Sequence, residues 1–218
     1  MTTLTSAGGT RRLRSFVRLF IVGFVFGVGG YGVGRLLARV FPGGPSLSDL
    51  GLGWADGLAL LVAFGLIFGA AAALVTSLSP ARLGRMYRLE GDASPAEIGL
   101  ARRQALVFGF SGLLLALPPV FSAAGLSPLF GFVVVGLLMA LHTVLNVRVY
   151  LQADELVRRT VLEAGAATFF LGQGVLFLWA AAERLGFAPA LTAWDIYAVL
   201  MAFYLIASLV VSVRRGLA

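Results

Sequence analysis

The sequence has no cysteine, no lysine and a single histidine. The missing cysteines exclude disulfides, thiolate metal sites and cysteine nucleophiles. The missing lysines exclude Schiff-base chemistry, and one histidine excludes a metal site built from several imidazoles. Charge is also scarce, because 12% of the 218 residues are charged, against about 25% in an average soluble domain. We therefore exclude a water-soluble globule.

Apolar residues are what the sequence has in excess, at 59% of the chain. Six apolar stretches are long enough to span a bilayer and are bounded by charges or turn signals. They cover residues 16–34, 54–78, 104–122, 128–147, 160–182 and 193–213. We predict an all-α integral membrane bundle of six transmembrane helices that forms one domain over residues 1–218. Residues 94–150 and 153–215 both open with an acidic residue followed by an arginine pair. They are either an internal repeat or two unrelated helical hairpins that both carry arginines because their ends lie on the same side of the membrane.

The arginines are divided unevenly between the two sides of the predicted bundle. Of the 17, only Arg35, Arg39 and Arg184 fall on the side away from the termini, and the other fourteen share the side of the termini. The positive-inside rule then predicts cytoplasmic N- and C-termini in a bacterial inner membrane. The net charge of +7 serves orientation and attraction to anionic lipid headgroups. We expect no nucleic-acid partner, because no basic soluble module is present.

Several helix boundaries are marked by local signals. Ser94 and Glu97 flank Pro95 in a capping box, which predicts a helix start before the third apolar stretch. The pair Pro118-Pro119 is expected to break that helix. Residues 80–89 are either a short interfacial helix, with arginines three apart on one face, or a plain basic loop.

Small residues are concentrated on one face of the first predicted span. The members of this face are Gly23, Gly27, Gly30 and Gly34. Gly65 and Gly69 repeat the spacing of four in the second span. Such faces let helices approach closely in lipid. One prediction is that these two spans dock on each other. The alternatives are that one glycine face docks a partner protein or a second copy, or that the glycines line a path for a substrate.

Two arginines beside this glycine face contradict the charge rule. Arg35 and Arg39 lie four residues apart toward the predicted periplasmic end of the first span. A charge at the interface is best neutralised locally, so we predict pairing with Asp49 or Asp56. An anionic lipid or solute is the alternative ligand.

Ser111 and His142 form the one pattern that points to catalysis. Residues 109–112 read Gly-Phe-Ser-Gly, and His142 is followed at the fourth position by Asn146. Both motifs resemble those of rhomboid intramembrane serine proteases, a six-helix family that uses a Ser–His dyad. The resemblance implies that Ser111 would be the nucleophile and His142 the base. The two motifs stand in the opposite order here, and the last two spans contain no histidine.

A polar cluster offers a second candidate site. We predict that His142, Asn146, Glu163 and Gln173 are buried in the bundle, because ionisable groups in membranes face its interior. A Glu163–His142 pair would suit proton or solute transport. The alternative is that Glu163 pairs with Arg159 and that His142 bonds to a helix carbonyl.

These patterns predict a non-catalytic accessory subunit that docks through glycine faces. A compact small-solute transporter is the alternative, and an intramembrane serine hydrolase is third. No cofactor is predicted, and His142 is the one residue able to ligate a haem or a chlorophyll. The protein partner is either a different chain or a homo-oligomer.

Overall fold

The computed structural model describes residues 49–87 and 90–215. These residues form six α-helices and no strand. The helices are α1 (Trp54–Thr76), α2 (Pro80–Tyr87), α3 (Pro95–Ala123), α4 (Pro128–Gln152), α5 (Glu155–Arg184) and α6 (Ala193–Arg215). All except α2 are long and apolar enough to cross a membrane. The all-α membrane bundle is thus confirmed, with five of the predicted spans in place. The first one, residues 16–34, lies outside the described residues.

The capping box before α3 forms as predicted. Glu97 N donates to Ser94 Oγ at 3.3 Å, and Ser94 N donates to Glu97 Oε2 at 2.7 Å. Each residue thereby satisfies a backbone donor that the first helical turn leaves free. The helix therefore starts nine residues before the apolar stretch that begins at residue 104.

Glycines end two of the long helices. Gly125 and Gly186, with φ of +64° and +80°, follow the last residues of α3 and α5. After α3, Leu126 N donates to Phe121 O at 3.1 Å, which is the closing bond of a Schellman motif. The positive φ is available to glycine at little cost, so both helices stop sharply before their turns.

The prediction that Pro118-Pro119 breaks the third helix is wrong. Both prolines lie inside α3, which continues to Ala123. Two backbone donors are missing, but only the final turn follows, so few helical bonds are lost. Pro119 is also fully buried, and its packing keeps this last turn in the bundle.

The extensive contacts between the long helices form a single series, which we call the row. α1 packs most extensively on α3 and also on α6, while α4 packs on α3 and α5 packs on α6. The order of these contacts is therefore α4–α3–α1–α6–α5. Residues 153–154 join α4 to α5, so these two helices meet at one end although they share no extensive contact along their lengths. In α4 and α5, 11% of the membrane-spanning segment is buried, against 28% in α1 and 33% in α3. Most of the surface of α4 and α5 is thus not covered by the other described helices.

The α1–α3 contact depends on glycines of α3. A Cβ on Gly112 would lie 2.7 Å from the carbonyl oxygen of Ala63, and one on Gly109 would lie 3.3 Å from Cβ of Ala70. The core around this contact consists of small and medium apolar side chains: Ala55, Ala59, Val62, Ala63, Leu66, Leu115 and Ala198. Small residues allow the close backbone approach that associates helices in lipid. The two glycines that flank Phe110-Ser111 therefore have a packing role.

Residues 80–87 form the short helix α2. Its Leu83 is fully buried against Ala93 and Ala101, whereas Arg82 and Arg85 are exposed. Its apolar side is thus covered by the chain itself. Burial, with a smaller contribution from Asp154, raises the pKa of Tyr87 at the end of this helix.

Polar contacts tie the helices together at both ends of the bundle. At the arginine-rich end, where α3 begins, Arg102 Nε donates to Ser77 Oγ at 3.2 Å and Arg103 Nη1 donates to Gln152 Oε1 at 2.7 Å. At the opposite end, Trp194 Nε1 donates to Asp56 Oδ1 at 2.8 Å. These bonds join α3 to the ends of α1 and α4, and α6 to α1.

We predict that Gly112→Ala destabilises the protein by about 1–3 kcal/mol, because the added methyl forces two packed backbones apart. Gly136→Ala is the matched control, since a Cβ at that position of α4 meets nothing within 4 Å. The measurement is the free energy of unfolding in detergent, followed by helical circular dichroism. Equal stability of the two variants would contradict the close contact of α1 and α3.

Candidate functional site

Ser111 and His142 are in hydrogen-bond contact across the α3–α4 interface. Ser111 Oγ and His142 Nε2 are 2.8 Å apart, and Asn146 Nδ2 lies 3.2 Å from the same nitrogen. The imidazole is 9% exposed, and the ring of Phe110 packs edge-on to it at 5.6 Å between centroids. Two side chains therefore converge on one histidine nitrogen within the apolar part of the bundle.

The hydrogens of this cluster have two consistent arrangements. In the first, Ser111 Oγ donates to the carbonyl of Val107 at 2.9 Å and a protonated Nε2 donates to Oγ, which leaves Asn146 Nδ2, also a donor, without a bond to that nitrogen. If Nε2 is unprotonated, its single lone pair accepts from either Ser111 or Asn146 but not from both. The serine hydroxyl is thus shared between its own helix and the histidine.

The contact is therefore only part of a hydrolytic site. A catalytic base is normally oriented by a third group on its other nitrogen, and no described carboxylate is hydrogen-bonded to His142. Backbone N–H groups around Ser111 belong to the continuous helix α3, so they are not free to form an oxyanion hole. The arrangement is well suited to holding α4 against α3, because hydrogen bonds between side chains associate helices in lipid.

Glu163 pairs with neither of its two predicted partners. Its Oε2 accepts from Arg215 Nε at 2.9 Å, across the α5–α6 interface. Arg159 instead pairs with Glu155 at 2.7 Å. The reason is the packing of the helices, since α5 packs on α6, which carries Arg215, while His142 on α4 is turned toward Ser111 on α3. Glu163 and Arg215 lie about equally far from the α5–α6 turn, a symmetry in the sequence that could have predicted the pair.

The four polar residues expected in the interior have different environments. His142 is buried and Glu163 is half-buried, whereas Asn146 and Gln173 are exposed. Asn146 lies on α4 and Gln173 on α5, and each of these helices packs against one main neighbour. A side chain that points away from this neighbour is therefore exposed, contrary to the prediction. Asn146 still reaches His142, but Gln173 has no hydrogen-bond partner among residues 49–87 and 90–215.

Only some of the remaining predicted residues lie in the part of the chain that the structure describes. The glycine face of the first span, Arg35 and Arg39 lie outside the described residues. Gly65 is half-buried and Gly69 is exposed on α1. Asp56, the predicted partner of those arginines, accepts from Gly53 N at 2.8 Å as well as from Trp194. A haem or chlorophyll on His142 stays a prediction, and it would compete with Ser111 and Asn146 for Nε2.

The fold and the composition of its helices define an integral, multi-pass membrane protein. Comparison with known proteins finds no matching family model, no significantly similar curated protein and no significantly similar solved structure. The polar groups of this chain are therefore the features that bear on its function.

We predict that Ser111→Ala lowers the free energy of unfolding by about 0.6–2 kcal/mol, the range for one hydrogen bond between membrane helices. Thr143→Val is the matched control on α4, because that hydroxyl donates only within its own helix, to the carbonyl of Met139. Unfolding in detergent measures both variants. A Ser111→Ala protein as stable as wild type would show that the contact does not hold α4.

Proposed function

We propose that this membrane protein is a non-catalytic subunit of a membrane assembly, and that the exposed face of α5 around Gln173 meets its partner. The observation that carries the proposal is the position of Gln173. It lies about 16 Å along the helix from Arg184 and about 21 Å from Arg159, close to the midpoint of α5. Its side chain is exposed, and the large neighbours Phe169, Phe170 and Phe177 are exposed with it.

An exposed amide at this depth is costly when lipid surrounds it. Hydrocarbon offers no hydrogen bond, and an unpaired amide in an apolar medium costs about 2–7 kcal/mol, depending on the reference state. Polar side chains within membrane helices are usually turned toward other protein or water. A protein partner that bonds to Gln173 removes this cost.

The short connections of the chain favour an accessory role. The longest connection between successive described long helices is residues 77–94, and α2 occupies much of it. Neither this connection nor residues 185–192 has room for a soluble catalytic domain. We also propose that the arginine-rich end faces the cytoplasm of a bacterial inner membrane, where anionic headgroups neutralise Arg82 and Arg85.

Purification of the tagged full chain in a mild detergent tests the assembly. We expect native mass spectrometry to find a stoichiometric complex that contains at least two polypeptides. The control is the same preparation carrying Gln173→Leu, in which the complex should weaken. A monomer under conditions that preserve known membrane complexes would contradict the proposal.

Intramembrane hydrolysis is a second candidate function, and the 2.8 Å contact between Ser111 and His142 favours it. In that function Nε2 would take the proton of Ser111 Oγ as the oxygen attacks a carbonyl carbon. The bond from Ser111 to Val107 and the packing of Gly109 and Gly112 explain the same residues without catalysis. The contact alone therefore supports hydrolysis less strongly than the exposed amide supports an assembly.

A fluorophosphonate probe separates these two functions, because it labels activated serines covalently. We expect no labelling of the native protein in membranes above the level of the Ser111→Ala variant. Labelling that disappears in both Ser111→Ala and His142→Ala would instead establish a serine hydrolase.

A further inference from the structure

We infer that the partner of Gln173 is a second copy of this chain, in a parallel two-fold contact between the two α5 helices. The inference rests on the proposed function, since it specifies which protein covers the exposed face of α5. It adds the identity of the partner, the direction of the helices and their register.

The face around Gln173 has the spacing of a helix-pairing seam. Its members are separated by four, three, four, four and three residues: Leu162, Ala166, Phe169, Gln173, Phe177 and Ala180. Residues at this spacing share one side of a helix. All six are exposed, and they extend over about 27 Å at the rise of an α-helix. We call this set the α5 seam.

The α5 seam has small residues where two helices would need them. Ala166 and Ala180 lie seven residues before and after Gln173, which is two helical turns in each direction. Alanine lets two backbones approach, so the amide is brought within reach of the facing helix. Between Arg159 and Arg184 the seam carries no charge, so nothing within the hydrocarbon repels an identical surface.

A second copy is favoured because the glutamine amide is complementary to itself. The side chain has an N–H₂ donor and a carbonyl acceptor, so two facing glutamines satisfy each other with two reciprocal hydrogen bonds. Two-fold contacts place the same patch on both subunits. Copies inserted in the same orientation are related by an axis along the membrane normal, which makes the two α5 helices parallel. Gln173 then faces Gln173 of the partner subunit, and the alanines are in register.

Cysteine cross-linking in native membranes tests the contact, and the chain is well suited because it contains no cysteine. We expect Ala166→Cys and Ala180→Cys, each made singly in the full chain, to form a disulfide-linked dimer with a membrane-permeant oxidant. Leu171→Cys is the matched control: it is 60% exposed and near the depth of Gln173, but it points about 160° away from it. This control should form no disulfide-linked dimer.

Substitution of Gln173 tests the chemistry of the contact. Gln173→Leu should raise the dissociation constant of the dimer in detergent by roughly 3- to 30-fold, the equivalent of one hydrogen bond between membrane helices. Gln173→Asn keeps an amide and should retain most of the dimer. The leucine variant removes a polar group from an exposed apolar face, so it should remain folded, as circular dichroism will verify.

The outcomes separate this inference from the proposed function. Cross-linking at Ala166 and Ala180 but not at Leu171, together with the loss in Gln173→Leu, establishes the homodimer. Cross-linking of the α5 seam to a different protein overturns the inference and leaves the proposed function standing. Equal cross-linking at all three positions overturns the inference of a homodimer. No cross-linking together with a monomeric mass overturns the inference and the proposed function.

Discussion

The close approach of α1 and α3 at Gly112 is the contact on which the rest of the bundle depends. The membrane-spanning segments of these two helices are the most buried in the described bundle. Each of the two helices also packs against one further part of the row. α6 packs on α1 and brings α5 with it, while α4 packs on α3. Water supplies no driving force between helices in lipid, so close packing of small residues has to associate them. Widening this one contact would displace both halves of the row.

Polar side chains then fix how the outer helices attach. The Ser111–His142 contact joins α4 to α3, and the Glu163–Arg215 ion pair joins α5 to α6. At the opposite end of the bundle, Asp56 and Trp194 join α1 to α6. In each case a group that is costly to leave unpaired in an apolar medium finds its partner on a neighbouring helix. Gln173 differs from these groups because the described part of the chain offers it no partner, so α5 is the helix with an unmet need for a hydrogen bond.

Much of the fold could be predicted from the sequence because apolar length and capping signals are local. The five described spans and the Ser94 capping box follow from them directly. The pairings are harder, because they depend on which helices become neighbours. The observed packing turns His142 toward α3 and Glu163 toward α6 and leaves Gln173 exposed, and no local pattern specifies that packing. Gly109 and Gly112 illustrate the same difficulty, since their spacing around Ser111 fits a catalytic motif while their positions serve helix packing.

The central claim is that another protein copy, and not lipid, covers Gln173. The chain contains three glutamines, Gln104, Gln152 and Gln173, which allows a direct measurement by solid-state NMR in bilayers. Copies with ¹⁵N in the glutamine side chains are mixed with copies carrying ¹³C at Cδ. We predict polarisation transfer between copies at Gln173 over about 4 Å, the separation expected between the amide nitrogen of one copy and Cδ of the other across a hydrogen bond, and the loss of this transfer in Gln173→Leu. A Gln173 signal without transfer to other copies, but with contacts to lipid acyl chains, would contradict it.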